Sequence, residues 1–149
     1  MKKAITIIEI MLVITLMSLM LGLSILYSQT TIVRSDLNGQ RNNFISALRL
    51  AQSDAMAGKD AGSHGVHIES NSYTTFSGDS YIVDGTGNVV NELPSTLQFT
   101  NITLNGGGTD IIFTSPEGAT DQYGSVDLYS QQISTTSTIT INQLGVITY

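Results

Sequence analysis

Few residues in this chain have the type and spacing for chemistry, and the most informative is one carboxylate. Glu9 stands four positions into an almost wholly apolar run, residues 5–27. An ionisable group in an apolar, membrane-like segment costs about 2.5 kcal/mol or more, and is a functional residue by default. Two readings follow. Either the carboxylate is carried there to meet an opposite charge, or it lies near a polar boundary and reaches out of the apolar layer. His64 and His67 are the only histidines, three apart at a loop-to-strand junction. They could hold a metal only with further ligands, and neither a His-Glu-x-x-His pattern nor a second cluster is present. Serines are plentiful, but none sits in a Gly-x-Ser-x-Gly elbow. The sequence Asp84-Gly-Thr-Gly-Asn88, followed by Glu92, alternates oxygen ligands but lacks the remaining spacing of a calcium loop, and reads as a Gly/Asn hairpin turn. Asn101-Ile102-Thr103 is a glycosylation acceptor sequence, for which chance occurrence is the default. Gly106, Gly107 and Gly108 lack the Lys and Ser/Thr of a phosphate loop and read as a flexible turn. The expectation is therefore no catalytic residue, no metal site, no cofactor and no enzyme activity.

Charge and composition narrow the partners. The chain has 149 residues, a net charge of −6 and no cysteine, so disulfides and thiolate metal sites are excluded. Its basic residues are Lys2, Lys3, Arg34, Arg41, Arg49 and Lys59, and no Lys or Arg follows. The remaining stretch is acidic and rich in Ser, Thr, Gly and Asn, which argues against general nucleic-acid affinity.

The elements that must position Glu9 are legible from hydropathy and period. At about 1.5 Å per residue the run 5–27 is long enough for a hydrocarbon core of about 30 Å. Lys2 and Lys3 place the N-terminus in the cytoplasm and the rest outside. A cleaved secretory signal fits less well, because the run exceeds the usual apolar core of about 7–15 residues and no clear small-x-small site follows. The helical period continues past Tyr27, with Leu37, Phe44, Leu48, Ala51 and Ala55 on one face. Gly58, with Lys59 beyond it, is a suitable stop, so one helix over about 5–57 would reach on the order of 80 Å. Beyond it, candidate strands cover 65–69, 73–77, 81–83, 89–91, 97–104, 110–113, 125–129, 138–141 and 146–148. Their inward residues are expected to include Val66, Ile68, Tyr73, Thr75, Leu97, Phe99, Ile102, Leu104, Ile112, Val126, Leu128, Ile139, Ile141 and Val146. One helix followed by a run of strands predicts an α+β fold with the helix on antiparallel sheet.

The segment Lys2-Lys3-Ala4, then Ile5-Thr6-Ile7-Ile8-Glu9, then Ile10-Met11-Leu12-Val13-Ile14, resembles the class III leader of type IV prepilins and type II secretion pseudopilins. The resemblance implies cleavage by a prepilin peptidase between Ala4 and Ile5, N-methylation of Ile5, and a role for Glu9 in subunit assembly by pairing with the amine of a neighbour. Ala4 stands where the family usually has Gly, and the Pro common in major pilins is absent. A second, looser resemblance links Ala47-Leu48-Arg49-Leu50-Ala51-Gln52-Ser53-Asp54-Ala55, Gly65-Val66-His67-Ile68, Tyr73-Thr74-Thr75-Phe76 and Ile112-Phe113-Thr114-Ser115-Pro116-Glu117-Gly118 to the GspH/FimT group of minor pilins and pseudopilins.

Together these imply a pilin-like α+β fold with a long N-terminal helix whose first half is transmembrane. The expected divisions are 1–4 leader, 5–27 transmembrane and filament-core half, 28–58 amphipathic half and 59–149 β-rich head. The implied function is a minor pilin or pseudopilin that primes or caps a type IV pilus or secretion pseudopilus. The implied partners are other such subunits, the prepilin peptidase, the inner-membrane assembly platform and membrane lipid. The implied location is a single-pass inner-membrane protein, later a filament. Two rival readings are a DNA-uptake receptor of the same group, against which the acidic head counts, and a tethered β domain acting as adhesin or enzyme without assembly.

Overall fold

The computed structural model describes the backbone of residues 6–149, and the side chains of these apart from 23–30 and 61. In chain order the elements are α1 (Ile7–Met56), a 3-10 turn (Lys59–Ala61), β1 (His64–Ile68), β2 (Ser72–Ser77), β3 (Val89–Glu92), β4 (Leu97–Leu104), β5 (Asp110–Phe113), β6 (Gly124–Ser130), β7 (Thr135–Ile141) and β8 (Ile147–Thr148). Two compact units result, Met1–Ser35 and Asp36–Tyr149.

In the first unit the side chains from Ile7 to Gly22 are mostly apolar and all exposed. Ile7 is 80 % exposed and Met20 is 72 % exposed, and the residues between them are exposed on every side of the helix. This stretch corrects two expectations. Among the described residues no helix is long and apolar enough to cross a membrane. The single-pass placement and the transmembrane half of the expected pilin-like fold are therefore not supported. Glu9 places a charge within the apolar stretch of α1, from Ile7 to Gly22. From Arg34 onward α1 also carries Asp36, Arg41, Arg49 and Asp54, which no apolar layer accommodates. What the structure has in place of the expected fold is two four-stranded antiparallel sheets, which dominate the second unit.

The second unit is built on the helical period of its first 21 residues. Leu37, Phe44, Leu48, Ala51 and Ala55 are all buried, as one face of an amphipathic helix must be. Phe44 is fully buried; its ring meets Tyr73 of β2 edge-on at 5.2 Å and Phe99 of β4 at 4.8 Å. Tyr73 belongs to the sheet ordered β3-β2-β1-β5 and Phe99 to the sheet ordered β4-β6-β7-β8, so one side chain ties the helix to both. Val66, Ile68, Ile111 and Phe113 from the first sheet complete one core with Leu97, Val126, Leu128, Ile139 and Ile141 from the second. Ala57 N–H donates to the Ser53 carbonyl, and Gly58 N–H to that of Ala55, at 2.9 and 3.0 Å. Gly58 then turns left-handed at φ 63°, a conformation that costs a residue with a Cβ, and α1 ends there. Gln52, on the same helix, donates its side-chain amide to the carbonyls of Gly118 and Leu144 at 2.9 and 3.4 Å, pinning two loops to α1.

Several strand expectations change in detail. Residues 81–83 form no strand. Tyr81 lies flat on the His67 ring, and the following turn is closed by Gly85 N–H and the Asn88 amide, both donating to the Ile82 carbonyl. In β5 the inward residues are Ile111 and Phe113, with Ile112 half-buried. The run Asp-Ile-Ile-Phe has no alternation to set its parity; pairing of Ile111 with Val66 across to β1 decides it. In β8 it is Ile147, rather than Val146, that is buried. In β4 the register shifts between Thr100 and Thr103 and Asn101 adopts φ 46°, so the bulge leaves Ile102 half-buried.

Candidate functional site

Glu9 falls in the first turn of α1, where the partial positive charge of the helix N-terminus favours a carboxylate. Its backbone N–H donates to the Thr6 carbonyl at 3.1 Å. Its side chain is exposed and has no hydrogen-bond or ion-pair partner among the described residues. Around it lie Ile7, Ile8, Ile10, Met11, Leu12 and Val13, each close to half exposed or more. Glu9 is thus the single charge of the stretch of α1 from Ile7 to Gly22, which is otherwise almost wholly apolar. Ala4 and Ile5, the expected cleavage and methylation positions, lie outside the described residues.

The two histidines part company. His64 is buried, and both ring nitrogens are engaged: Nε2 with the Lys59 carbonyl at 2.9 Å and Nδ1 with the Ser77 hydroxyl at 3.3 Å. The carbonyl can only accept, so Nε2 carries the proton and Nδ1 accepts from Ser77. This histidine fastens the start of β1 to the 3-10 turn after α1 and to the end of β2.

His67, on the opposite face of β1, sits at the centre of a polar cluster that short-range sequence patterns do not show. Register places Asp110 of β5 directly across from it, and Nδ1 lies 2.5 Å from Asp110 Oδ1. Nε2 is 3.7 Å from Glu69 Oε1. The ring stacks on Tyr81 at 3.9 Å with 5° between planes, and Tyr81 in turn meets Phe76 edge-on at 5.6 Å. Gly65 makes room for this layer, since a Cβ there would come within 2.5 Å of the Phe76 ring and 2.8 Å of the Ile111 carbonyl oxygen. The carboxylates address opposite ring nitrogens, so a single ion cannot take all three groups as ligands. The nearby Ser72 hydroxyl donates to Glu69 at 2.7 Å rather than to the imidazole. The cluster orders the 78–88 segment over the outer face of the first sheet and presents no activated hydroxyl. Among the described residues no group of three or more His, Cys, Asp or Glu is placed to hold a metal ion.

The remaining motifs find structural places. Asn88 closes its turn on Ile82 as described. Asn101 donates its amide to Asp127 Oδ2 at 3.0 Å, while Thr138 donates to Asp127 Oδ1 at 2.6 Å. Gly106, Gly107 and Gly108 turn the chain from β4 towards β5, all at φ between 75° and 82°. Sequence reasoning missed the pairing of His67 with Asp110, 43 positions away, and the anchoring role of Gln52. No local signal marks either, because both arise from register and loop placement.

No family model, curated protein or solved structure matches this chain.

Proposed function

We propose that this chain is a structural subunit of a filament of the type IV pilus or type II secretion pseudopilus kind, a minor pilin or pseudopilin that primes or caps assembly. The observation that carries the reading is the helical stretch from Ile7 to Gly22, apolar on every side, with Glu9 as its single charge. A helix hydrophobic all round requires cover on all sides. We assign that cover to other helices of the same type, from neighbouring subunits. Within such a bundle a carboxylate is tolerable only when paired, and the free amine of a processed Ile5 on a neighbour supplies the partner. The resemblance of residues 2–14 to a prepilin leader supports the same reading. A prepilin peptidase and the assembly machinery are then the further partners.

Substitution of Glu9 tests the proposal. Glu9→Ala is expected to abolish incorporation into sheared filaments while leaving the fold of the second unit, followed by circular dichroism, unchanged. The mass of the native protein is expected to correspond to a chain beginning at methylated Ile5. Incorporation of Glu9→Ala at the wild-type level, or a native chain that still begins at Met1, would refute the assignment.

A further inference from the structure

The four sheet edges of the second unit are treated differently. On β5, Gln122 Oε1 accepts the Ile112 N–H at 3.3 Å. On β4, the Ser70 carbonyl accepts the Phe99 N–H at 2.8 Å. The edge strand β8 is only two residues long. β3 is the end strand of its sheet and has no such cover. Leu93 N–H donates to the Asn71 carbonyl at 2.8 Å, and Asn91 pairs with Tyr73. Bonded pairs alternate along an antiparallel ladder. Val89 and Asn91 therefore address β2, whereas Val90 and Glu92 turn their N–H and C=O groups outward. No turn or loop bond reaches those four groups among the described residues.

Two further observations give this edge a shape and a sign. Val89 lies in register with Thr75 and Val66, on the face that meets α1. It is 56 % exposed and lines a cavity of about 130 Å³ together with Leu50, Asp54 and Thr75; Leu50 is itself 59 % exposed. Val90, on the other face, is 60 % exposed. A strand laid beside β3 would place alternate side chains into the Leu50–Val89 groove and onto Val90. The charges placed at this edge leave it acidic: Glu92 ends the strand, Asp54 lines the groove, and Lys59 beside it is taken up by that Asp54 at 2.8 Å.

We infer that β3 is a docking edge for an extended segment of a partner protein in which aliphatic residues alternate with Lys or Arg, bound by strand addition. None of this chain's own strands carries a Lys or Arg, so a second copy cannot offer a complementary strand from its sheets. The inference stands whether or not the filament reading holds.

The test uses the full-length chain and a fluorescently labelled peptide alternating valine and lysine, with a valine–glutamate peptide as control. Saturable anisotropy is expected for the lysine peptide, with slowed amide exchange at Val90 and Glu92. The glutamate peptide is expected to bind at least about tenfold more weakly, because it sets like charge against Glu92. Val90→Pro removes one outward donor, and the ring is tolerated where the N–H faces solvent. It is expected to lose about tenfold in affinity at an unchanged melting temperature. Should Val90→Pro lower the melting temperature, Glu92→Lys carries the test, with the peptide preference expected to invert. Three results overturn the inference: no saturable binding, equal binding of both peptides, or protection of these amides by self-association at rising protein concentration, which would make a second copy the occupant.

Discussion

Replacing Phe44 by Ala would remove a helix side chain that meets an aromatic ring of each sheet. The ring is fully buried and meets Tyr73 at 5.2 Å and Phe99 at 4.8 Å. A Phe→Ala change in a core costs about 3–5 kcal/mol, and the lost edge-on and tilted ring pairs lie within that sum because they vanish with the same atoms. At roughly 0.05–0.15 kcal/mol per residue, the unit Asp36–Tyr149 has on the order of 6–17 kcal/mol in hand, so the variant still folds but with much of its margin gone. Urea unfolding followed by tyrosine fluorescence suits the measurement, because the chain has no tryptophan and six tyrosines, one of them in contact with Phe44. With a slope near 1.5 kcal/mol per molar, the midpoint is expected to fall by about 2–3 M at constant slope. A fall of less than about 0.5 M at unchanged slope would show that the three-ring contact is not what joins helix to sheets, since so small a loss matches a surface substitution.

Two further outcomes follow from the same packing. Gly145→Ala forces a Cβ into a left-handed residue, φ 75°, within 2.2 Å of the Gln52 side-chain nitrogen and 2.5 Å of the Gly118 carbonyl oxygen. Backbone strain and the broken Gln52 bond together are expected to cost about 2–3 kcal/mol, read from thermal melting. Burial pushes the Tyr73 hydroxyl above its ordinary value of 10.0. The folded state then holds this proton more tightly than the unfolded chain, so the contribution is full below about pH 10 and is lost as pH rises through the folded value. Stability measured by urea unfolding is expected to fall from about pH 10 upward, and Tyr73→Phe is expected to flatten that fall; an unchanged alkaline profile in Tyr73→Phe would count against it.

Local order and sidedness were legible in the residues alone. The 3.6-residue period of Leu37, Phe44, Leu48, Ala51 and Ala55 marks the buried face of α1, and Gly58 marks its end, because helix geometry and left-handed turns are set by neighbours in the chain. The ranges 97–104 and 110–113 match β4 and β5 to the residue, since alternation or bounded apolar runs suffice to mark a strand. Glu9 was legible as an anomaly for the same reason: a charge in an apolar run is visible without any fold.

Features that depend on distant partners emerged with the packed fold. The parity of β5 came from pairing with β1, and the fate of residues 81–83 from a histidine ring on another strand. Register alone brought His67 to Asp110. The expectation of a membrane-crossing half rested on the apolar run 5–27, whereas among the described residues no helix is long and apolar enough to cross a membrane. The open edge of β3 was equally out of reach from sequence, because an edge is defined by the strand that is not beside it, and strand order is settled by contacts across the whole core.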